Sequence, residues 1–270
     1  MDCREFLTLT LEKVSQMAID LFGKVPATLK SEDYNQVVTE ADREIGKSII
    51  EAIQQVYPEY NIIDEEAGVI DNESEYTWVI DPIDGTSNFA QGIPMYGIMM
   101  GLLKESEPIA GGIALPAFGE IYIAEKGAGA YCNTQKLAVS SETSLPSALI
   151  AYGIDGHRET PNVTRRECNL VAEIILHCRN LRMSNSVFDT IMVAKGKYGG
   201  FLHQTSRIWD NVAQHVLIEE AGGSYTDFFG KPVDYSHPLS KVKDNFAFCT
   251  APPALHQQLQ SIVRRIHTSS

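Results

Sequence analysis

The sequence predicts an α/β protein in which helices and sheets form layers. Helix and strand patterns alternate in the first and last parts of the chain, whereas residues 96–125 carry three consecutive strand patterns separated by turn residues. The chain has 270 residues, of which 44% are hydrophobic and 21% are charged. This length and composition are typical of a globular protein with a large core.

The first 60 residues predict two amphipathic helices and a loop. Apolar residues recur near helical spacing from Phe6 to Leu21, and again over residues 41–56, where Pro58 follows the second helix. The polar stretch 30–36 between the two helices is predicted to be a loop. A short strand over residues 61–63 follows the second helix.

The middle of the chain predicts mainly strands. Residues 76–80 are apolar and β-prone, which predicts a buried strand. Gly, Pro, Glu and Ser separate three further short strands, which we expect to form an antiparallel meander. These three strands are predicted over residues 96–104, 110–115 and 120–125. Gly127-Ala128-Gly129 is predicted to be a turn at the end of the meander.

Helices and strands alternate again in the second half. The small, polar stretch 140–147 predicts a boundary, so we divide the chain into an N-terminal α+β part, residues 1–146, and a C-terminal α/β part, residues 147–270. The second part predicts strands over residues 149–152, 180–183 and 198–202 and helices over residues 165–178, 187–195 and 210–221. Two more strands and a helix after Pro252-Pro253 complete the pattern.

Composition argues against several classes of partner. The chain carries 22 basic and 35 acidic side chains, a formal charge of -13, so we expect neither nucleic acid nor a membrane as a partner. No apolar run is long enough to cross a bilayer, and no basic segment precedes an apolar one at the N-terminus. The five scattered cysteines are expected to be reduced thiols, which predicts a cytoplasmic protein.

The segment Asp81-Pro82-Ile83-Asp84-Gly85-Thr86-Ser87-Asn88-Phe89 follows the predicted strand over 76–80. Pro82 cannot donate to a sheet ladder, so we expect strand pairing to stop there. Asp84-Gly85 predicts a turn, and Thr86 or Ser87 is expected to cap a short helix. Two acids three residues apart, next to the free N–H groups of a helix start, suit a hard cation and a phosphate together.

Acidic residues recur where apolar segments end. They are Glu65 and Glu66 after the strand over 61–63, Asp81 and Asp84 after the strand over 76–80, and Asp210 after Ile208-Trp209. If these ends are neighbours, each pair of carboxylates about 4 Å apart costs ~4 kcal/mol, so protons or cations must neutralise the cluster. All-oxygen ligands favour Mg²⁺ or a similar hard cation.

Each of these acids also has an ordinary structural interpretation. Asp84-Gly85 alone is a turn, Asp210 alone is a helix N-cap, and Glu65-Glu66 alone is a solvated acidic pair. Thr39-Glu40-Ala41-Asp42 alone is a capping box. These interpretations do not explain why acids repeat at the ends of apolar segments, so we favour a shared site.

The segment Asp81–Phe89 resembles the signature of the inositol monophosphatase family, which comprises Mg²⁺-dependent, lithium-sensitive phosphatases. Trp209-Asp210 through Glu220-Ala221-Gly222-Gly223 is similar to the second signature of this family. Val38-Thr39-Glu40-Ala41-Asp42 and Asp64-Glu65-Glu66 match in order and spacing. The motifs extend from about residue 30 to residue 223.

The resemblance implies a fold and a set of site residues. The fold is an α-β-α-β-α sandwich of the inositol monophosphatase/fructose-bisphosphatase type, usually a homodimer. Two or three Mg²⁺ ions are implied, the first held by Glu65, Asp81 and the carbonyl of Ile83, the second by Asp81, Asp84 and Asp210, and a weaker third sharing Glu65. Glu65, Thr86 and Asp42 are the implied catalytic residues, and Thr86 and Asp42 orient the attacking water. The N–H groups of Gly85 and Thr86 hold the phosphate.

The implied reaction is hydrolysis of a phosphate monoester of a small polyol or sugar by metal-activated water, with inositol monophosphate as the leading substrate. Fructose 1,6-bisphosphate, histidinol phosphate and 3′-phosphoadenosine 5′-phosphate are the alternatives within this class. A catalytically silent scaffold is the alternative from another class. The presence of Glu65, Asp81, Asp84, Thr86 and Asp210 argues against the scaffold.

The sequence departs from the family pattern where the substrate is expected. His203 stands where many inositol-specific members have Glu, and it is either a substrate contact or an ordinary strand-end histidine. Residues 183–188 are bulkier and more polar than the usual small element. Arg182 fits the pattern or forms an ion pair, and Arg165-Arg166 either reach a second phosphate or start a solvated helix. The predicted substrate contacts are Ile83, Asp84, Gly85, Thr86, Asn185, His203 and Asp210.

Overall fold

The computed structural model describes residues 1–29 and 37–268, and within these ranges the chain forms seven α-helices and fifteen strands. The helices are α1 (Cys3–Leu21), α2 (Glu40–Val56), α3 (Thr86–Ala90), α4 (Pro161–His177), α5 (Val187–Ala194), α6 (Ile208–Glu220) and α7 (Pro253–Thr268). The strands of the first half are β1 (Thr28–Leu29), β2 (Val37–Val38), β3 (Asn61–Asp64), β4 (Gly68–Ile70), β5 (Tyr76–Asp84), β6 (Gly97–Lys104), β7 (Glu107–Leu115), β8 (Glu120–Glu125), β9 (Gly129–Cys132) and β10 (Gln135–Lys136). Those of the second half are β11 (Leu149–Gly153), β12 (Asn180–Arg182), β13 (Gly200–His203), β14 (Ser224–Asp227) and β15 (Phe248–Ala251).

Two large sheets organise the chain. The first has eight strands in the order β10-β9-β8-β7-β6-β5-β3-β4, and the second has five in the order β12-β11-β13-β15-β14. Strands β6, β7 and β8 form the predicted antiparallel meander. β3 runs parallel to β5, and β11 runs parallel to both β12 and β13. Parallel neighbours end at the same edge of a sheet, which brings distant segments together there.

Three layers of helices alternate with these two sheets. Phe6 of α1 and Ile49 of α2 pack with Trp78 of β5 on the outer face of the eight-stranded sheet. Between the sheets, Leu217 of α6 packs with Ile113 of β7 and Phe201 of β13. A third helical layer covers the far side of the second sheet.

That third layer consists of α4 and α7. Leu170 of α4 and Leu259 of α7 pack with Tyr152 of β11 in one buried cluster. The layers therefore follow the order α-β-α-β-α, and the predicted sandwich is confirmed. Such burial, at about 25 cal/mol per Å² of apolar surface, is the main force that holds the layers together.

The central helix α6 lies very close to the larger sheet because glycine faces it. A Cβ atom on Gly111 would lie 2.5 Å from the carbonyl oxygen of Ala213, and a Cβ atom on Gly101 would lie 2.6 Å from Cγ1 of Val212. Real Cβ atoms essentially never show such contacts. These two glycines thus fix the depth at which α6 sits on the sheet.

Several predicted elements need correction. Pairing does not stop for good at Pro82, because β5 continues to Asp84, which pairs with Gly97 after a bulge. The N-cap of α3 is Gly85, with φ of 80°, and not Thr86 or Ser87. α6 begins at Ile208, so Asp210 lies at its third position and does not open the helix. A β-bulge changes the direction in which the following side chains point, and the local sequence pattern does not reveal the bulge.

The remaining differences concern element ends and short strands. α4 begins at Pro161, four residues before the predicted start at residue 165, and β13 covers Gly200–His203 instead of residues 198–202. The short strands β1, β2, β4, β9 and β10 were not predicted. The loop predicted over residues 30–36 lies outside the described residues. The division at residues 146 and 147 stays a prediction.

Two further predictions concern chemistry and membranes. All five cysteines are free thiols. Across residues 1–29 and 37–268, none of the helices combines the length and the apolar character needed to cross a bilayer.

Candidate active site

Asp81 and Asp84 lie at the carboxyl end of β5, on either side of a bulge. Asp81 pairs with Met99 and is 1% exposed, whereas Asp84 pairs with Gly97 and is half-buried. The Asp84 Oδ2 atom accepts a hydrogen bond from the N–H of Val187, at the start of α5. The bulge therefore turns two carboxylates three residues apart toward one place.

Asp210 reaches the same place from α6. Its Oδ2 atom accepts a hydrogen bond of 2.5 Å from the N–H of Arg207, which holds the side chain at the first turn of the helix. One carboxylate oxygen from each of Asp81, Asp84 and Asp210 lies within 4.8 Å of the other two. Three carboxylates from two distant segments thus form one cluster.

The cluster is electrostatically strained because its members are close and shielded from water. Burial, followed by the negative charges of Glu65, Asp84 and Asp210, raises the pKa of Asp81 well above its usual range. Burial and the charge of Asp210 likewise raise the pKa of Asp84 well above the usual range. Burial also raises the pKa of Asp210, against the hydrogen bond from Arg207. Bound positive charge would relieve this repulsion.

Glu65 follows β3 and lines the same cavity as the cluster. The Glu65 N–H donates to the carbonyl of Ile80 at 3.3 Å, which ties the turn after β3 to the neighbouring strand β5. Asp64 Oδ1 accepts from the N–H groups of Glu66 and Ala67 at 2.9 and 2.7 Å, which closes the turn. Because β3 and β5 are parallel, their carboxyl ends carry Glu65 and Asp81 to the same edge of the sheet.

Asp42 and Thr86 form a second polar group beside the cluster. Thr86 Oγ1 lies 3.1 Å from Asp42 Oδ1 and 2.8 Å from the carbonyl oxygen of Ile83. The other carboxylate oxygen of Asp42 accepts from the N–H and the hydroxyl of Thr39 at 2.7 and 2.6 Å. Burial raises the pKa of Asp42, against these hydrogen bonds, so the carboxylate is a better proton acceptor than an exposed aspartate.

The start of α3 is locked in place by Asn88. Its amide nitrogen donates to the carbonyls of Met95 and Ser184 at 2.7 and 3.1 Å. Gly85 lies in the left-handed region with φ of 80°, and a Cβ there would lie 3.0 Å from the carbonyl of Met95. Glycine is therefore required at the turn that presents the first N–H groups of α3.

A cavity of about 180 Å³ lies among these side chains. The predicted site residues Glu65, Asp81, Ile83, Asp84, Gly85, Thr86, Asn185, His203 and Asp210 all line it. Asp42 is 1% exposed and does not line the cavity, but it contacts Thr86, which does. Ser184 and Ser186 of the segment 183–188 and Trp209 of the second signature also line it, and so do Asp155 and Thr205, which the sequence patterns did not indicate.

Asp155 is the most informative residue that the sequence analysis missed. It follows β11 by two residues, so it obeys the same rule as the other acids, namely a carboxylate where an apolar strand ends. Its Oδ1 atom accepts from Asn185 Nδ2 at 3.2 Å, and its Oδ2 atom lies 3.5 Å from His203 Nε2. The rule makes Asp155 a candidate, but only the parallel pairing of β11 with β13 brings it to the cavity.

The predicted arginines lie away from the cavity. Arg165 donates to Asn162 Oδ1 at 2.8 Å, and Arg182 donates to the carbonyl of Leu181 at 2.8 Å. Neither of these side chains nor Arg166 is among the described residues that line the cavity. His203 is the last residue of β13 and lines the cavity, and its contact with the substrate stays a prediction.

The cluster fits a divalent cation. Asp81 Oδ1 is buried and has no hydrogen-bond partner among the described residues, a costly arrangement for a carboxylate oxygen. The donors are all oxygen atoms, which hard cations such as Mg²⁺ prefer. The roles of individual residues in holding a cation stay predictions.

Known proteins resemble this chain in sequence and in fold. A model of the inositol monophosphatase family matches residues 5–268. The fructose-1,6-bisphosphatase/inositol-1-monophosphatase of Aquifex aeolicus is 33% identical over 234 residues, 84% of this chain and 86% of that protein. The Nus factor SuhB of Pasteurella multocida is 31% identical over 205 residues, 75% of both proteins. The solved structure of the Thermotoga maritima IMPase superposes with a TM-score of 0.87 at 27% identity and covers 100% of this chain and 99% of that one.

The family match covers residues 5–268, which include every acid of the cluster. The chain belongs to the inositol monophosphatase family, a family of phosphoric monoester hydrolases.

Proposed function

We propose that this protein is a Mg²⁺-dependent phosphatase that hydrolyses a phosphate monoester of a small polyol or sugar, with inositol monophosphate as the leading substrate. The observation that carries the proposal is the meeting of Asp81, Asp84 and Asp210 within 4.8 Å, at the cavity that the start of α3 also lines. Carboxylates and helix-start N–H groups together suit a cation and a phosphate.

The cations would be held by residues from three separate segments of the chain. Glu65, Asp81 and the carbonyl of Ile83 would hold one ion, and Asp81, Asp84 and Asp210 a second, with Glu65 shared by a third, weaker ion. When bound, Mg²⁺ acidifies water and offsets the negative charge of a phosphate ester. A solved structure of the same fold, an IMPase/NADP phosphatase, is complexed with Mg²⁺ and phosphate, which supports Mg²⁺ as the ion.

Thr86 and Asp42 would orient the attacking water. The single hydroxyl proton of Thr86 has two protein acceptors, Asp42 Oδ1 and the carbonyl of Ile83, so its lone pairs are left to accept from a water in the cavity. Thr39 holds the Asp42 carboxylate in a fixed orientation, and the raised pKa of Asp42 suits it to take up a proton.

The phosphate would lie against the N–H groups of Gly85 and Thr86. Gly85 is the N-cap of α3, and this position leaves the first N–H groups of a helix without intrahelical partners. Asn88 holds the turn rigid by its bonds to Met95 and Ser184. A fixed anion cradle of this kind positions the ester for direct attack by water.

Within this class, the relatives support more than one substrate. The Aquifex aeolicus relative carries the names of both a fructose-1,6-bisphosphatase and an inositol-1-monophosphatase. Phosphate release from inositol 1-phosphate, fructose 1,6-bisphosphate, histidinol phosphate and 3′-phosphoadenosine 5′-phosphate, each with Mg²⁺, tests the proposal. We expect the highest kcat/KM with inositol 1-phosphate, and release from none of the four would overturn the phosphatase assignment.

A catalytically silent scaffold is the second candidate, and the name of the Nus factor SuhB relative is the observation that favours it. The two candidates differ in cation binding. Isothermal titration of the folded protein with Mg²⁺ is expected to show binding at the acidic cluster. A folded protein that binds no Mg²⁺ would favour the scaffold.

We further propose that lithium inhibits the phosphatase, as the family resemblance implies. Lithium is a small, hard cation and would compete for an all-oxygen site. Phosphate release from inositol 1-phosphate at fixed Mg²⁺ and rising LiCl, with NaCl as the ionic-strength control, is expected to fall. Unchanged activity at high LiCl would remove this part of the proposal.

Finally, we propose a cytoplasmic homodimer. Ile175 and Leu176, adjacent on α4, are 48% and 75% exposed, which supports a protein contact at this end of the helix. The five free cysteines support a reducing compartment. Light scattering coupled to gel filtration is expected to give twice the chain mass, and cell fractionation tests the location.

A further inference from the structure

Asp155, Asn185 and His203 form a polar cluster in the cavity, here called the Asp155 cluster. Its position follows from sheet topology. β11 and β13 are parallel neighbours, and Gly153 pairs with His203. Both strands therefore end at the cavity, and Asp155 follows the pairing position by two residues.

Gly153 makes room for the imidazole ring. A Cβ atom on Gly153 would lie 2.7 Å from Cδ2 and 2.8 Å from Cγ of His203. The ring also lies beside Phe201 and Phe248, with centroids 6.0 and 6.1 Å away. His203 is therefore packed in one orientation, with its Nε2 atom 3.5 Å from Asp155 Oδ2.

Asn185 holds the other oxygen of the carboxylate. Its Nδ2 atom donates to Asp155 Oδ1 at 3.2 Å, while its Oδ1 atom accepts from the N–H of Ile154 at 2.8 Å. Asn185 has φ of 57°, in the left-handed region that few residues other than glycine and asparagine adopt. Burial opposes ionisation, but the contacts with His203 and Asn185 outweigh it and lower the pKa of Asp155.

No fixed cation of the described cavity lining is left for a second phosphate. None of the described lining residues is Lys or Arg, and His203, the one basic side chain among them, already faces Asp155. Arg165, in the first half of α4, donates a hydrogen bond to Asn162. A leaving group that carries its own phosphate would therefore meet the Asp155 carboxylate and, among the described lining residues, no lysine or arginine.

We propose that Asp155 is a specificity-determining residue that accepts hydrogen bonds from hydroxyl groups of the leaving group and excludes leaving groups that carry a second phosphate. This inference rests on the proposed phosphatase function. It assigns the substrate class as hydroxylated monophosphates in preference to bisphosphates. Asn185 and His203 are positioning residues, because they fix the direction of the carboxylate.

A matched pair of esters tests the inference. Fructose 1-phosphate and fructose 1,6-bisphosphate differ only in the phosphate at C6, and release of the C1 phosphate can be followed for both. We expect the wild-type protein with Mg²⁺ to favour the monophosphate in kcat/KM by about tenfold or more, because the phosphate at C6 would bring further negative charge close to the Asp155 carboxylate. In Asp155→Asn and Asp155→Ser this preference is expected to fall by about tenfold.

Asp20→Asn is the matched control, because Asp20 is an exposed carboxylate on α1 whose contact is with Gln16. It removes the same charge and is expected to leave the preference unchanged. In Asp155→Asn, KM for inositol 1-phosphate is expected to rise while kcat stays within about twofold, a split that a folding defect would not produce.

The outcomes separate this inference from the proposed function. Release of phosphate from neither fructose ester nor inositol 1-phosphate by the wild-type protein with Mg²⁺ would overturn both. If the wild-type protein hydrolyses inositol 1-phosphate alone, an unchanged KM for it in folded Asp155→Asn would overturn the inference alone. Equal kcat/KM for the two esters in the wild-type protein would overturn the inference alone, whether or not the variants fold. So would an unchanged preference in a folded Asp155 variant.

Discussion

Thr86 Oγ1 lies 3.1 Å from Asp42 Oδ1, although 44 residues separate the two in the chain. The contact joins the first turn of α2 to the first turn of α3. It places a buried carboxylate directly behind a hydroxyl that lines the cavity. A proton acceptor and the group that would touch the attacking water are thus linked before any substrate arrives.

Replacing Thr86 tests this link. Thr86→Val removes the hydroxyl at nearly constant volume, and we expect kcat for inositol 1-phosphate to fall by about 10²-fold, the lower end of what a positioned acid or base contributes. Thr86→Ser keeps the hydroxyl and is the matched control, expected to retain most of the activity. Equal activity in Thr86→Val and the wild-type protein would mean that the contact has no part in catalysis.

Asp81→Asn tests the coupling between the acidic cluster and stability. Mg²⁺ at about 100 times its Kd stabilises a folded protein by ~2.7 kcal/mol, which for a chain of this size raises Tm by roughly 5–10 °C. Since Asp81 is shared by both proposed ions, Asp81→Asn is expected to lose most of this shift. Asp20→Asn removes an exposed acid and is expected to keep it. The measurement is differential scanning fluorimetry with and without MgCl₂.

Gly111 provides a test of how the fold positions Asp210. In Gly111→Ala the new methyl group meets the carbonyl of Ala213, so α6 must shift on the sheet. We expect a loss of stability of about 1–3 kcal/mol and a weaker affinity for Mg²⁺, because Asp210 moves with α6. Urea unfolding and Mg²⁺ titration measure the two effects. Unchanged values of both would show that α6 adjusts without moving the cluster.

The stability of the protein is expected to vary with pH because of His256. Burial lowers the pKa of this histidine below its usual value of 6.5. Below pH 6.5 the unfolded chain therefore binds a proton that the folded chain does not, so stability falls as the pH drops from 6.5 toward the folded-state pKa. This contribution is fully present above pH 6.5.

His256→Gln removes the titrating group but can still bond to Thr226, whose hydroxyl lies 2.9 Å from His256 Nε2. Unfolding free energies are measured between about pH 5 and pH 8 at saturating Mg²⁺, which holds the acidic cluster constant. The variant is expected to lose less stability than the wild-type protein on the acid side. Parallel pH profiles for the two proteins would argue against this role.

Long, regular patterns made most of the fold predictable. α1 and α2 carry apolar stripes over several turns, and the meander strands β6, β7 and β8 are bounded by clear turn residues. The short strand β4 escaped prediction because its residues are largely exposed, including Val69 at 40%. β4 forms because it pairs with β3, and a local sequence pattern does not show which strand lies beside it.

The acids of the cluster were predictable because each ends an apolar segment, and the motif around Asp81 is long. Asp155 was missed although it follows β11, because its place in the cavity depends on the parallel pairing of β11 with β13. The extension of β5 past Pro82 was missed for a related reason, since the bulge before Asp84 depends on the partner strand β6. In both cases the missing information was which strands are neighbours.

The most direct test of the central claim is release of inorganic phosphate from inositol 1-phosphate by the wild-type protein and by Asp210→Asn, each with MgCl₂ and with EDTA. We expect release by the wild-type protein only with Mg²⁺, and a loss of about 10³-fold or more in Asp210→Asn, since the variant lacks one of the three clustered carboxylates. Release that is independent of Mg²⁺, or equal in the two proteins, would contradict it.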